Sequence, residues 1–254
     1  MNQRQIVVDI GNSMTKLAIV AEERDPVSSL SNVIRTTSRE LDFATIHEFA
    51  GPSRCQWHVA SARRETESVL RSWVQTGRPL DEYRCLSRYD LNLPVNVDSP
   101  DRVGVDRLLA AFAARTMVGG PVIVANSGTA ITVDYVDGAG VFQGGSILPG
   151  LTISAQSLSA GTDAFPDISS LLEDGFPNAI GKSTEEALRS GLLWGTVGSV
   201  AQMIERITNE SGEAPGVVVS GGDGRIVSNQ LPQAVQFIDN IVLIGIAMSR
   251  PPKS

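Results

Sequence analysis

The sequence predicts an α/β fold made of two lobes, and three observations predict it. A hydrophobic strand, a Gly-Asn-Ser turn and a returning strand open the chain over residues 6–20, and the same unit recurs over 122–136, half a chain later. Helical patterns at 65–75, 105–117 and 183–209 alternate with these strands. The length of 254 residues, 42% hydrophobic and 19% charged, is enough for one large core or two half-size lobes. The recurrence favours two lobes, 1–117 and 118–254, and no short-period repeat competes with it.

Taken in order, Ile6–Ile10 is an apolar run interrupted only by Asp9, so it reads as a buried strand. Gly11-Asn12-Ser13 supplies turn chemistry, and Lys16–Val20 pairs back to close a hairpin. The stretch from Ile34 to Phe49 reads as partly helical, Gln56–Ala62 as a short strand and Glu65–Gln75 as a helix. Pro94 and Pro100 mark 92–103 as an irregular loop, which ends at Gly104 just before the helix 105–117. Leu108, Leu109 and Phe112 give that helix its apolar face.

The second half opens with the strand Val122–Ala125, a turn at Asn126-Ser127-Gly128 and the strand Ala130–Val136. Asp137-Gly138-Ala139-Gly140 makes a hairpin turn into Val141–Ile147, and 151–159 reads as a helix. A loop passes Pro166 and Pro177 before Ser183 and Glu186, which fit a capping box for a long helix reaching about Asn209. Val217–Ser220 is a strand that stops at Gly221-Gly222-Asp223-Gly224, and the apolar run 241–248 closes the C-terminal core.

Composition restricts the partners. Twenty-one Lys and Arg against 28 Asp and Glu give a net charge of −7, with no basic, aromatic-studded patch, so nucleic acid is not expected. An anionic substrate must then be held by a local device of backbone N–H groups, a lysine and a metal. Two cysteines, Cys55 and Cys85, fit neither a zinc site nor a disulfide framework, and the opening apolar stretch is too short for a leader or a membrane span. A cytoplasmic protein is the expectation.

Three small-residue turns stand at strand ends: Asp9 to Ser13, Asn126 to Ala130, and Ser220 to Asp223. Each could bring backbone N–H groups to phosphate oxygens, although any one alone is also ordinary hairpin chemistry. Together they resemble the two phosphate motifs and the adenosine motif of the acetate and sugar kinase, chaperone ATPase and actin superfamily. Within it, Gly104-Val105-Asp106-Arg107 followed by LLAAFAA, then NSGTAITVDYVDGAGVFQGGSILPGL, and Gly181-Lys182-Ser183-Thr184, are similar to the type III pantothenate kinases. That resemblance covers nearly the whole chain and is loosest over 21–97.

The resemblance implies two ribonuclease H-like lobes with ATP in the cleft between them, and phosphorylation of pantothenate in coenzyme A synthesis. It implies that Asp9, Gly11, Asn12, Ser13 and Lys16 form the ATP phosphate loop, with Asp9 holding Mg²⁺ through water. Gly128 and Thr129 would contact ATP phosphates, and Gly221 and Gly222 would contact the nucleotide. Gly104, Val105, Asp106 and Arg107 would bind pantothenate, with Asp106 as general base and Thr184 near the substrate. A homodimer with the acceptor site near its interface is also implied.

Each assignment has a physical counterpart. At a helix start the macrodipole favours an ionised Asp106, which suits a reaction demanding positioning first and proton acceptance late; a simple helix-start preference explains an aspartate there too. Arg107 can grip a carboxylate in bidentate fashion, or make a surface ion pair. Thr184 also fits first-turn helix chemistry.

Two positions depart from the family pattern. Asn126 stands where the family has an aspartate that binds an activating monovalent cation, K⁺ or NH₄⁺, so that ion should bind more weakly here. Val97 stands where many members have a tyrosine near pantothenate. These departures keep open a nucleotide-binding regulatory protein similar to the Bvg accessory factors, or a kinase of another small hydroxylated substrate.

Overall fold

The opening hairpin forms because both its strands carry apolar residues on two faces and a glycine turn joins them. In the computed structural model, which describes residues 3–21, 29–161 and 176–249, β1 (Arg4–Ile10) and β2 (Met14–Val20) pair antiparallel with Asp9 opposite Lys16. Contacts divide the chain into two compact units. The first takes the described residues of Met1–Pro94, Asp98–Thr116 and Asn240–Ser254; the second takes Val95–Val97 and Met117–Asp239. This differs from a contiguous cut at 117/118 in the 95–97 segment and in the C-terminal helix.

The first unit holds a five-stranded mixed sheet. Its other strands are β3 (Leu30–Thr37), β4 (Cys55–Ser61) and β5 (Glu82–Cys85), in the order β3-β2-β1-β4-β5. Helices α1 (Phe43–Ala50) and α2 (Arg64–Gly77) cover one face, where Ile6, Val8, Ile10, Leu17, Trp57 and Leu70 are buried together. Helix α3 (Val105–Val118) also belongs here up to Thr116. The stretch 34–49, expected to be partly helical, is strand to Thr37 and helix only from Phe43. Pairing of β3 on β2 continues to Met14↔Thr37, and the Asp42 side chain then accepts the Thr45 N–H and caps α1.

The second unit repeats the plan. Strands β6 (Val122–Ser127), β7 (Ala130–Val136), β8 (Phe142–Pro149), β9 (Gly216–Ser220) and the short β10 (Gln236–Phe237) lie in the order β10-β9-β6-β7-β8. Read from its other edge, this is the first sheet's order, with two antiparallel hairpin pairings and two parallel ones. Strand β6 runs two residues beyond the expected Ala125, because Asn126 still pairs with Ser220 and Ser127 with Ile131. The 92–103 loop is not wholly irregular: Val95 bridges Phe142 and a 3₁₀ turn spans Pro100–Arg102.

Helices α4 (Leu151–Ala160), α5 (Thr184–Ser211) and α6 (Gly224–Ser228) complete the second unit. Ser183 caps α5 by accepting the Glu186 N–H at 3.2 Å, as expected. The Glu186 carboxylate, however, takes the N–H of Lys182 at 2.6 Å, one residue earlier than a standard capping box. The loop expected through Pro166 lies outside the described residues. The apolar run 241–248 is helix α7 (Ile241–Met248), and it packs on β1, β2 and β4 of the first unit. Gly245 permits this, since any side chain there would strike the Leu109 backbone of α3.

Candidate functional site

Strand parity decides where Asp9 points. On β1, Ile6, Val8 and Ile10 face α1 and α2, so Val7 and Asp9 face the opposite side. Cross-strand partners share a face, which sets Asp9 in a row between Ala60 of β4 and Lys16 of β2. Ala60 adds no bulk and no charge. Burial pushes the Asp9 carboxyl up to about 7; the Lys16 ammonium pulls it down and the Asp106 carboxylate pushes it further up. Asp106, in the first turn of α3, is therefore an electrostatic neighbour of Asp9. The structure thus brings Asp106 near a carboxylate and a lysine of the opening hairpin, far earlier in the sequence.

The turn after Asp9 is tightly held. Gly11 N–H donates to the Met14 carbonyl at 3.1 Å, and a methyl group on Gly11 would lie 3.0 Å from that same oxygen. Asn12 and Ser13 are exposed and Gly11 is half-buried. At the start of α3, the Gly104 carbonyl accepts the N–H groups of Arg107 and Leu108, at 3.1 and 3.3 Å. The Asp106 carboxylate folds back over Gly104 so closely that a methyl group there would meet it. Val105, Asp106 and Arg107 are all half-buried at this helix start.

In the second unit, Asn126 is the topological counterpart of Asp9: it lies on the equivalent strand, two residues before the turn glycine. Its row runs Ser220, Asn126, Thr132. Where the first unit has a carboxylate and an ammonium, the second has an amide and two hydroxyls. The Gly128-Thr129 turn is gripped from two sides. A side chain on Gly150 would strike the Gly128 and Thr129 carbonyls, and Gly150 N–H donates to the Thr129 carbonyl at 3.2 Å. Gly221, at φ 97°, lies against the Ser127 backbone, and Asp223 N–H donates to the Ser127 carbonyl at 3.3 Å. Burial raises the Asp223 carboxyl. Gly222 is exposed.

The remaining expected positions are placed as follows. Thr184 is exposed at the first residue of α5, and Gly181 lies beneath that turn, where a side chain would run into the Ala187 backbone. Val97 packs over Gly144, whose φ is 93°; a methyl group there would be 3.4 Å from the valine Cγ1. Sequence reasoning passed over Ser38 and Thr66, which anchor the Gly11–Ser13 turn, and Gly150, which seats the second turn. The Pro149-Gly150 pair ahead of a helix was the one available signal for the last of these.

A family model described as type III pantothenate kinase matches residues 5–206. This chain belongs to the type III pantothenate kinase family. A type III pantothenate kinase from Rhodopirellula baltica is 32% identical, covering 96% of this chain and 97% of its own. One from Chlorobaculum parvum is 31% identical, covering 95% and 92%. A solved propionate kinase from Francisella tularensis shares the fold alone, at 10% identity and a TM-score of 0.52, over 98% of this chain and 99% of its own. As a type III pantothenate kinase family member the chain is a phosphotransferase, and its two repeated mixed sheets are the lobes of that kinase fold.

Proposed function

We propose that the chain transfers the γ-phosphoryl group of ATP to the primary hydroxyl of pantothenate, giving 4′-phosphopantothenate and ADP, the first step of coenzyme A synthesis. The observation that carries this reading is that Asp9, facing Lys16 across the hairpin, lies near enough to feel the Asp106 carboxylate at the start of α3, in a chain of this family. Two carboxylates and a lysine at the end of a strand and the start of a helix are what an alcohol and a triphosphate would require.

In this reading Asn12 and Ser13 beyond Gly11, Thr129 beyond Gly128 and the Lys16 ammonium bind phosphate oxygens, the two glycines letting the chain come close, and Gly221 and Gly222 border the nucleotide. Asp106 accepts the hydroxyl proton as the new O–P bond forms and the β–γ bridge breaks; the loose transition state makes its orientation matter more than its basicity. Gly104 and Val105 shape the acceptor pocket, Arg107 binds the pantothenate carboxylate, and Thr184 contacts the acceptor. Val97, where many members of the family have a tyrosine, offers the acceptor no polar contact.

The donor set suits Mg²⁺: it takes one or two carboxylates, water and phosphate oxygens, and a half-buried Asp9 would supply the protein share through water. When bound, that ion neutralises charge on the transferred phosphoryl group. The Ser220, Asn126, Thr132 row offers neutral oxygens to a monovalent cation, so K⁺ or NH₄⁺ should be held weakly. Two cysteines without a disulfide framework fit the cytoplasm, no described helix is long and apolar enough to cross a membrane, and a homodimer completes the family reading.

Asp106→Asn tests the assignment. It should lower kcat on the order of 10²-fold or more while MgATP binding, followed by calorimetry, stays within about twofold. An unchanged kcat would remove Asp106 from the chemistry.

A further inference from the structure

A buried hydroxyl chain runs from α2 to the first glycine turn, through residues to which the proposed chemistry gives no part. Ser38, just past the end of β3, is 1% exposed, Thr15 0% and Thr66 6%. The hydroxyls of Ser38 and Thr15 are 2.8 Å apart and hydrogen-bonded. Ser38 N–H donates to the Ser13 carbonyl at 2.9 Å. Thr66, on α2, donates its hydroxyl to the Ser38 carbonyl at 2.6 Å and accepts from Arg63 Nε at 3.1 Å. Every polar group of Ser38 is thus committed, and two of its bonds end on the strand and turn that carry Gly11, Asn12 and Ser13.

The turn is fixed from its other end as well, by Ala62 N–H donating to the Ile10 carbonyl at 2.9 Å. Between these anchors the three-residue turn has little freedom. Three hydroxyl residues at the same buried spot are costly unless all are paired, and an apolar trio would fill the space without that cost. What the hydroxyl chain adds is direction: it fixes the Ser38 backbone, whose N–H holds the Ser13 carbonyl of the turn.

We infer that Ser38, supported by Thr66, is a positioning residue for nucleotide binding: it holds the Gly11–Ser13 turn in the geometry that receives the phosphates of a nucleoside triphosphate. Removing either hydroxyl leaves the substrate-touching groups and the Ser38 N–H bond to Ser13 in place but loosens the segment that carries that N–H, and small displacements of binding groups cost large factors in rate. This inference rests on the reading of that turn as the phosphate loop.

The test is steady-state kinetics on the full-length protein with MgATP and pantothenate varied independently, beside thermal unfolding. Ser38→Ala and Thr66→Val should each raise KM for ATP at least fivefold. KM for pantothenate at saturating ATP should change less than twofold, and Thr66→Ser, which keeps the hydroxyl, should retain the wild-type KM for ATP. Thr66→Val is nearly isosteric and keeps the test open if Ser38→Ala folds poorly. An unchanged KM for ATP in the valine and alanine variants, or equal losses for both substrates that track unfolding, would overturn the inference. Asn12→Asp separates it from the reading beneath it. A carboxylate on this exposed turn should weaken ATP binding at least tenfold if phosphates sit there, whatever Ser38 does. If Asn12→Asp binds ATP normally, the phosphate-loop reading fails, and the role of Ser38 with it; if only the Ser38 and Thr66 variants are silent, the positioning role alone fails.

Discussion

Asp9 carries the clearest pH signature in the molecule. Burial, helped by Asp106 and opposed by Lys16, places its titration at about 7 instead of near 3.8. Below that pH the carboxyl is neutral and a poor partner for a hydrated Mg²⁺, so kcat/KM for MgATP should rise with pH through about 7 and then level. A profile flat from pH 6 to 8 would contradict this. The linkage has the opposite sign for stability. The folded state holds its proton more tightly than the unfolded chain, so ligand-free protein loses stability as pH rises from about 4 through 7. Asp9→Asn has no such loss, and its Tm advantage over wild type, measured without nucleotide or metal, should be larger at pH 8.5 than at pH 5.5. Asn126 makes a second prediction at this scale. Its row supplies no carboxylate, so raising K⁺ against constant Na⁺ should change the rate by less than about threefold; strong saturable activation would show that a charged ligand comes from elsewhere. Asp9 and Asn126 were legible as motif residues. Their facing and their row partners were not, because strand parity is fixed only once the register is known.

At the scale of elements, glycines mark where backbone meets backbone. Gly221 combines φ 97° with contact against Ser127, so Gly221→Ala should cost about 2 kcal/mol or more and weaken ATP binding together with stability. Denaturant unfolding checks the first and calorimetry the second. A structural hub in the first unit gives a contrasting expectation. Asp81, 3% exposed, accepts from Arg78 Nε at 2.5 Å, Trp57 Nε1 at 2.9 Å and Cys55 N–H at 2.9 Å. Burial alone would raise its carboxyl, but these bonds and the Arg78 charge hold it below the usual range. Asp81→Ala strands a buried guanidinium and should cost about 3–5 kcal/mol, with KM values of the folded protein unchanged. The opening hairpin, the 105–117 helix and the Ser183 cap were readable because their signals are local: periodicity, a glycine turn, a side-chain cap. The strand 30–37 was not, since its residues alternate weakly and only pairing with β2 makes them extended. Trp57 offered no guidance in sequence and proves to be core, tied by its indole N–H to Asp81.

For the molecule as a whole, one sheet order used twice explains both what the sequence revealed and what it hid. The repeated strand-turn-strand unit was visible at 6–20 and 122–136, because hairpins are contiguous. The parallel strands that complete each sheet arrive after helices, and the two-residue β10 has too little pattern to see. Helix α7 is buried along nearly its whole length, so it showed no amphipathic period, and only its contacts with β1, β2 and β4 return it to the first unit. The Ser38 anchor belongs to the same class of hidden feature, since its partners lie at residues 13, 15 and 66. The duplication places a charged row in one unit and a neutral row in the other, and the proposed chemistry rests on the charged row. The most direct measurement is ADP release from MgATP by the purified protein, with and without pantothenate. A rate that depends saturably on pantothenate, with the new phosphate on its primary alcohol, is the expected result. ADP release indifferent to pantothenate, from protein that binds MgATP, would contradict the account.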